Sequence, residues 1–182
     1  MDLVPTRIPD VVLLKPRVFR DERGYLFESW NRSTFLDAGI AVEFAQDNHS
    51  QSAQWVLRGL HYQVQQAQGK LVRVGRGAVF DVAVDLRKSS PTFGAWVGTE
   101  LNEQNNHMLW IPPGFAHGFL ALTPSVDFIY KCTDLYAPQH ERTIVWNDPR
   151  LAIDWPLPHG KAPLVSAKDA QGAQWAVAEC FP

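Results

Sequence analysis

The chain has 182 residues, with 17 basic and 19 acidic side chains, a net charge of −2, 46% hydrophobic and 20% charged residues. A single domain of this size buries roughly 70% of its unfolded surface, so it needs no staples, and the composition excludes a disordered chain. Near-neutral charge without a basic run excludes an electrostatic nucleic-acid surface, and no apolar stretch approaches the roughly 20 residues of a membrane span.

Met1 to Asp10 lack a charged start followed by an apolar core, so no secretory signal is expected. Cys132 and Cys180 stand alone, which fits a reduced, cytoplasmic setting. Val11 to Leu14 reads as extended. Arg20-Asp21-Glu22-Arg23-Gly24 reads as a hairpin turn leading into an extended Tyr25 to Trp30. A short helix is expected over Thr34 to Ala38, capped by Ser33 and stopped by Gly39. Ala41 to Gln46 reads as extended again. Lys70 to Val74 is β-branched at Val72 and Val74. Gly77 to Leu86 has period two, with Phe80, Val82, Val84 and Leu86 alternating with Asp81, Ala83 and Asp85. Ala95 to Leu101, His107 to Ile111, Ala116 to Leu122 and Val126 to Thr133 follow, separated by turn residues. Pro149 to Pro163 is too rich in proline for long regular structure, and Ser166 opens a helical turn over Ala167 to Ala170. Strands recurring about every 10 residues, with scattered Gly and Pro, predict a sandwich or barrel. The expectation is one all-β domain over residues 1–182, a jelly roll with short helical segments.

Three strand-like stretches carry unusual polar residues: Trp55 to Gln63 with His61, Gln68 to Val74 with Lys70, and Phe128 to Tyr136 with Tyr130. A lone His in a β protein is more often structural than catalytic. Company changes that, because strand parity puts Lys70 with Val72 and Val74, and Tyr130 with Phe128 and Cys132. If those faces turn inward, the interior holds an imidazole, an ammonium and a phenol, and burying a lysine without use is costly. The alternative is that Lys70 sits at a strand end and snorkels to water. The segment Ile111 to Phe119 contains Pro-x-Gly-x-x-His, a spacing that resembles the second motif of the cupins, small double-stranded β-helix barrels. Metal-binding cupins pair it with His-x-His and a following Glu. Here His61-Tyr62-Gln63 offers one histidine, so His61 and His117 are the only two candidate ligands where about three are needed, and no catalytic metal is expected. His107, His140 and His159 read as surface residues, and His49 is ambiguous. There is no Gly-x-Ser-x-Gly elbow, no phosphate loop and no dinucleotide fingerprint. A metal-dependent cupin enzyme and a noncatalytic sugar or nucleotide binder stay open as rival readings.

Six motifs in one order carry a resemblance: Phe19 to Tyr25, Gln46 to Ser50, Arg58 to Gln63, Gln68 to Val74, Pro112 to Phe119 and Trp146 to Pro149. Together they resemble the dTDP-4-dehydrorhamnose 3,5-epimerase family from about Ile8 to Ala170. The resemblance implies a metal-free, cofactor-free cupin that works as a homodimer. Its substrate would be the nucleotide sugar dTDP-4-dehydro-6-deoxy-D-glucose, epimerised at carbons 3 and 5. It implies His61 as the base, Asp169 orienting it, Lys70 stabilising the oxyanion and Tyr130 returning a proton. It implies Tyr136 stacking on thymine, and Arg23, Glu28, Gln46, Asn48, Arg58, His117, Glu141 and Lys168 as nucleotide or sugar contacts. The chemistry suits those residue types. Carbons 3 and 5 flank a ketone, so enolate formation acidifies their hydrogens without redox or metal help. A neutral imidazole titrates near working pH, and a carboxylate on its other nitrogen fixes the tautomer. Guanidinium groups such as Arg23 and Arg58 fork onto phosphate oxygens.

Overall fold

Short β-branched and aromatic runs punctuated by turn residues fold here as antiparallel strands. The computed structural model describes all residues, Met1 to Pro182. In chain order the strands are β1 (Asp2–Pro5), β2 (Val12–Lys15), β3 (Val18–Asp21), β4 (Gly24–Phe27), then helix α1 (Arg32–Asp37). They continue with β5 (Gln46–Ala53), β6 (Leu57–Gln63), β7 (Lys70–Arg76), β8 (Ala78–Asp85), β9 (Trp96–Asn102), β10 (Met108–Ile111), β11 (Phe115–Ala121), β12 (Ser125–Cys132), β13 (Glu141–Thr143) and helix α2 (Ala167–Ala170). A six-stranded sheet runs β1-β2-β10-β7-β12-β5 and a five-stranded sheet runs β13-β6-β11-β8-β9; β3 and β4 form a separate hairpin. The two large sheets face each other as the expected all-β, cupin-like sandwich. Neither helix is long and apolar enough to cross a membrane.

Three apolar clusters explain the layering. The first lies between the sheets and joins Val72, Val74, Leu109 and Phe128 to Val79, Ala83, Leu101 and Phe119. The second lies on the outer face of the five-stranded sheet, where Leu57, Leu60, Val82, Val84, Leu86 and Leu120 are covered by Ile144, Leu151 and Trp155 from the C-terminal segment. The third lies outside the six-stranded sheet, where Leu14, Leu71, Met108 and Trp110 are covered by Phe35 of α1 and by Ile40.

Several expectations shift. The N-cap of α1 is Asn31, not Ser33; its side-chain oxygen accepts from the Ser33 and Thr34 N–H groups at 2.9 and 3.3 Å. Gly39 follows the helix at φ 77°, the left-handed conformation that ends helices. Ala41 to Gln46 is not a strand. Val42 and Phe44 instead pack over the third cluster, and pairing begins at Gln46, the first residue with a β12 partner. The strand after the hairpin turn ends at Phe27 rather than Trp30, and β1, β5 and β13 were not anticipated. On β8 the alternating strand stands, and its more apolar face is turned away from the facing sheet. Val82 and Val84 point outward beneath the C-terminal cover, while Asp81 and Asp85 are fully buried on the opposite side of the strand. A cover supplied from Ile144 onward makes both faces of β8 interior, which alternation alone does not reveal.

The buried Asp85 carboxylate is completely occupied. One oxygen accepts from the Arg87 N–H and Nε at 3.0 and 2.9 Å; the other accepts from the Arg87 guanidinium, Ser90 and Thr92 at 2.8, 2.6 and 2.7 Å. Burial pushes its pKa up, but these donors outweigh burial and hold it at about 2. A depressed folded-state pKa stabilises above the unfolded value, near 4, and that stabilisation disappears as pH falls through about 2. The difference amounts to about 2 kcal/mol. Asp85→Asn is therefore expected to lower the urea-unfolding free energy at pH 7 by about that amount, with the gap to wild type narrowing as pH drops from 4 toward 2.

Candidate active site

Between the two sheets lies a cleft of about 370 Å³. Five strands fill it with polar groups. On β5, Gln46, Asn48 and Ser50 face in; on β12 and β7, Tyr130 and Lys70 do; on β6 and β11, His61, Arg58 and His117 do. Lys70 and Tyr130 thus come from the six-stranded sheet and the two histidines from the five-stranded sheet opposite. Phe119 and Phe128, stacked with ring centroids 4.1 Å apart, line the apolar part of its wall.

Arg58 and His61 are three residues apart, yet both line the cleft. A regular strand would turn them to opposite faces. The β11–β6 register shifts between His117 and Phe119, pairing His117 with His61 but Phe119 with Arg58. That irregularity re-aims the side chains. The shift needs two glycines. Gly59 sits at φ 120°, and a Cβ there would lie 2.6 Å from the Gly118 Cα; a Cβ at Gly118 would lie 2.7 Å from the Arg58 carbonyl oxygen.

His61 is oriented from the far end of the chain. Its Nε2 donates to Asp169 Oδ1 at 2.6 Å, leaving Nδ1 as the unpaired ring nitrogen. Asp169 is buried on α2, which Ser166 caps by accepting from the Asp169 N–H at 3.1 Å. Burial would raise the Asp169 pKa, but the His61 hydrogen bond and charge, with the Gly59 N–H, hold it below the usual carboxylate range. His117 forms a second such pair: its Nε2 lies 2.9 Å from Oδ2 of the fully buried Asp81. Burial depresses the His117 pKa despite that carboxylate.

Lys70 opens β7 and lines the cleft instead of snorkelling outward. Lys131 and Lys168 pair with Asp47 and Glu141, whereas the Lys70 ammonium has no carboxylate within ion-pair distance. Burial pushes its pKa down, against the pull of Cys132, Glu141 and Asp81. Burial pushes the Tyr130 phenol up, so the group stays protonated at neutral pH. Arg58 is braced across to β5: Nε donates to Ser52 Oγ at 3.0 Å and a terminal nitrogen donates to the Gln51 carbonyl at 3.1 Å. At the rim, Glu141 accepts from the Tyr136 hydroxyl at 2.7 Å and pairs with Lys168; the Tyr136 N–H donates to Gln46 Oε1 at 2.8 Å. Gln63 holds the same loop through the Ala137 N–H and the Leu135 carbonyl.

Arg23 and Glu28 do not reach this cleft in their own chain. Both belong to the hairpin region outside it, where Arg23 pairs with Asp21 at 2.6 Å and Glu28 accepts from Asn31 and Thr34. The two-residue turn Glu22-Arg23 holds Arg23 against Asp21 and leaves it largely exposed. His49 points away from the cleft toward Asp127. Sequence reasoning missed Asp81, Ser52 and Gln63. Only Asp81 carried a signal, as an acid inside an otherwise apolar strand. His61 and His117 sit opposite one another in register, but each binds its own aspartate, and no three His, Cys, Asp or Glu side chains converge as a ligand set.

The model of the dTDP-4-dehydrorhamnose 3,5-epimerase family matches residues 5–176. The chain belongs to this family. It is 62% identical over 176 residues to the dTDP-4-dehydrorhamnose 3,5-epimerase of Pseudomonas aeruginosa, covering 96% of each chain. The crystal structure of the Legionella pneumophila epimerase in complex with dTDP-4-keto-L-rhamnose superposes with a TM-score of 0.94 at 48% identity, covering 98% of this chain and 94% of that one. A 3'-monoepimerase from Streptomyces bikiniensis, in complex with dTDP-quinovose, superposes at 0.88 with 32% identity, covering 94% and 87%.

Gly118→Ala tests the close approach behind Arg58 and His61. The new methyl meets backbone, which cannot swing aside, so a loss of about 1–3 kcal/mol is expected. Thermal unfolding should show it as a fall of about 2–4 °C per kcal/mol.

Proposed function

We propose that the chain epimerises dTDP-4-dehydro-6-deoxy-D-glucose at carbons 3 and 5, giving dTDP-4-dehydro-L-rhamnose for dTDP-rhamnose synthesis, with no cofactor. One observation carries the reading: an aspartate-bound imidazole faces, across one cleft, a half-buried phenol and an ammonium that has no carboxylate partner. His61 Nδ1 takes the hydrogen beside the ketone, and the C–H electrons move into an enolate. Asp169 holds the tautomer that leaves Nδ1 basic and steadies the imidazolium that forms. The Lys70 ammonium meets the charge growing on the carbon-4 oxygen, an interaction of the kind worth roughly 3–4 kcal/mol in oxyanion sites. Tyr130 delivers a proton from the opposite wall, which is what inversion requires. Arg58, braced by Ser52, presents its remaining N–H groups to the diphosphate. Tyr136 offers an exposed ring to the base, and Gln46, Asn48, His117, Glu141 and Lys168 complete the contacts. The reduced Cys132 and Cys180 suit a cytoplasmic enzyme.

Arg23 and Glu28 enter through a dimer. The hairpin that carries Arg23 exposes Phe19, Tyr25 and Leu26, apolar surface that a lone chain leaves in water. Seated on a second copy, it would bring Arg23 and Glu28 to the partner's cleft. Light scattering is expected to give twice the chain mass of 20.5 kDa, and a monomer mass would remove the contact.

The second reading is single-carbon epimerisation, motivated by the likeness to the Streptomyces bikiniensis monoepimerase. The higher identity to the Pseudomonas aeruginosa enzyme favours two carbons. Incubation of substrate in deuterated water separates them: deuterium at carbons 3 and 5 is expected, deuterium at one supports the second reading, and none at either overturns both. His61→Asn should abolish exchange at both carbons. Lys70→Met should cut kcat by about 10²–10³-fold, in line with loss of an oxyanion donor. Lys70 must be protonated to act, and burial lowers its pKa. The alkaline limb of the rate profile should therefore lie below the ordinary lysine range, and kcat should fall as pH rises through it. A limb unchanged in Lys70→Arg would assign it to another group.

A further inference from the structure

A second aspartate-bound imidazole lines the substrate cleft. His117 stands opposite His61 in the β11–β6 register, so the two rings enter the cleft from neighbouring strands of one sheet. Behind His117, on β8, lies Asp81. The His117 Nε2 donates to both Asp81 oxygens, at 3.1 and 2.9 Å, and that carboxylate makes no other hydrogen bond. Asp81 is fully buried and His117 nearly so. Val79 and Ala83, the neighbours of Asp81 on the same face of β8, belong to the apolar cluster between the sheets. A carboxylate in such a place is costly, and a well-packed apolar pair is often as stable or more so. Stability alone therefore does not account for the pair. What the pair does is fix a tautomer. With the hydrogen on Nε2, Nδ1 has only a lone pair to offer. That nitrogen has no protein partner. Only Ser50 Oγ and Trp30 Nε1 are both unpartnered and sealed from water, so Nδ1 opens to the cleft that His117 lines. We infer that Asp81 is a positioning residue: it holds His117 as a hydrogen-bond acceptor for a sugar hydroxyl beside the carbon that His61 deprotonates.

The inference rests on the epimerase reading, and the chemistry of the sugar selects the partner. An acceptor nitrogen cannot meet the carbon-4 ketone or the diphosphate, whose oxygens also only accept. Carbon 5 carries a methyl group. The donors next to the reacting centre are the hydroxyls on carbons 2 and 3. Arg58, Lys70 and Tyr130 crowd the same cleft with donors, so the lone pairs of such a hydroxyl are well served. Its hydrogen is what needs a partner, and His117 Nδ1 supplies one. Burial depresses the His117 pKa, which keeps the ring neutral and the lone pair free. The ring face is steadied against Phe128, with centroids 6.0 Å apart and planes 20° from parallel. With the opposite tautomer an N–H would point into the cleft, and the hydroxyl hydrogen would be buried without an acceptor. A sugar held from His117 also presents its carbon 3 to His61 in one orientation, so the contact counts in the chemical step as well as in binding.

Asp81→Asn keeps the shape and frees the tautomer. Its kcat/KM on the 4-keto substrate is expected to fall by about ten- to a hundredfold, the cost of a hydroxyl left unpaired. Calorimetry should show dTDP, which has no hexose, binding as tightly as to wild type. In a His117→Phe background, Asp81→Asn should cost no further activity, because nothing remains for the carboxylate to orient. An equal loss in both backgrounds, or weakened dTDP binding, would make Asp81 merely structural and overturn the inference. Nitrogen NMR on wild type tests it without any variant. The hydrogen is expected on His117 Nε2, and the Nδ1 signal should move when dTDP-6-deoxy-D-glucose binds but not with dTDP. The 2-deoxy and 3-deoxy counterparts of that analogue identify the hydroxyl: loss of the shift with one of them names it, and a shift kept with both overturns the contact. Hydrogen on Nδ1 in the free protein would overturn it as well. So would deuterium exchange surviving at one carbon in His61→Asn, since His117 would then be a second base. Absence of deuterium from every wild-type product would instead remove the underlying epimerase reading.

Discussion

One hydrogen bond joins the two ends of this fold. His61 on β6 and Asp169 on α2 lie 108 positions apart, and their 2.6 Å contact exists only because the C-terminal segment wraps the five-stranded sheet. That segment has two jobs. Ile144, Leu151 and Trp155 seal the outer face of the sheet, and the same run of chain then carries α2 to the back of His61. The seal and the orientation of the His61 imidazole therefore depend on each other. A carboxylate so placed would raise the cost of burial if it were unpaired, and pairing with imidazole turns that cost into a fixed tautomer.

The interior is organised by which polar groups are satisfied. Asp81 is paired with His117, Asp85 with Arg87, Ser90 and Thr92, and Asp169 with His61. Native interiors pair buried polar atoms almost without exception, so departures point to a ligand. The Lys70 ammonium has no carboxylate partner, and the Ser50 hydroxyl, shut off from water in the cleft wall, has no partner at all. Both face the same cleft.

Legibility followed physical range. Strand parity placed Lys70 with Val72 and Tyr130 with Phe128 on the inner face, because a two-residue period is local and β7 and β12 stay regular there. Parity alone does not say which face of β8 turns inward, because its outer cover comes from Ile144, Leu151 and Trp155, far downstream and beyond any local pattern. Arg58 and His61 would be assigned to opposite faces by parity. Their shared orientation needs the Gly59–Gly118 approach, which brings together two strands far apart in sequence. Arg23 and Glu28 matched a family motif but stand off the cleft of their own chain, since motif order says nothing about which copy of a chain a loop serves.

By itself the sequence determined the all-β class, most strands of the sandwich, the α2 cap at Ser166 and the residue types of the site. These depend on neighbours a few positions away: alternation, turn chemistry, capping and motif spacing. Tertiary structure alone decided that Asp169 reaches His61, that Asp81 backs His117 and that Ser52 braces Arg58. Each of those contacts closes a loop of chain whose ends share no local pattern, so only the packing of one sheet on another, and of the C-terminal segment over both ends of β6, could bring them together.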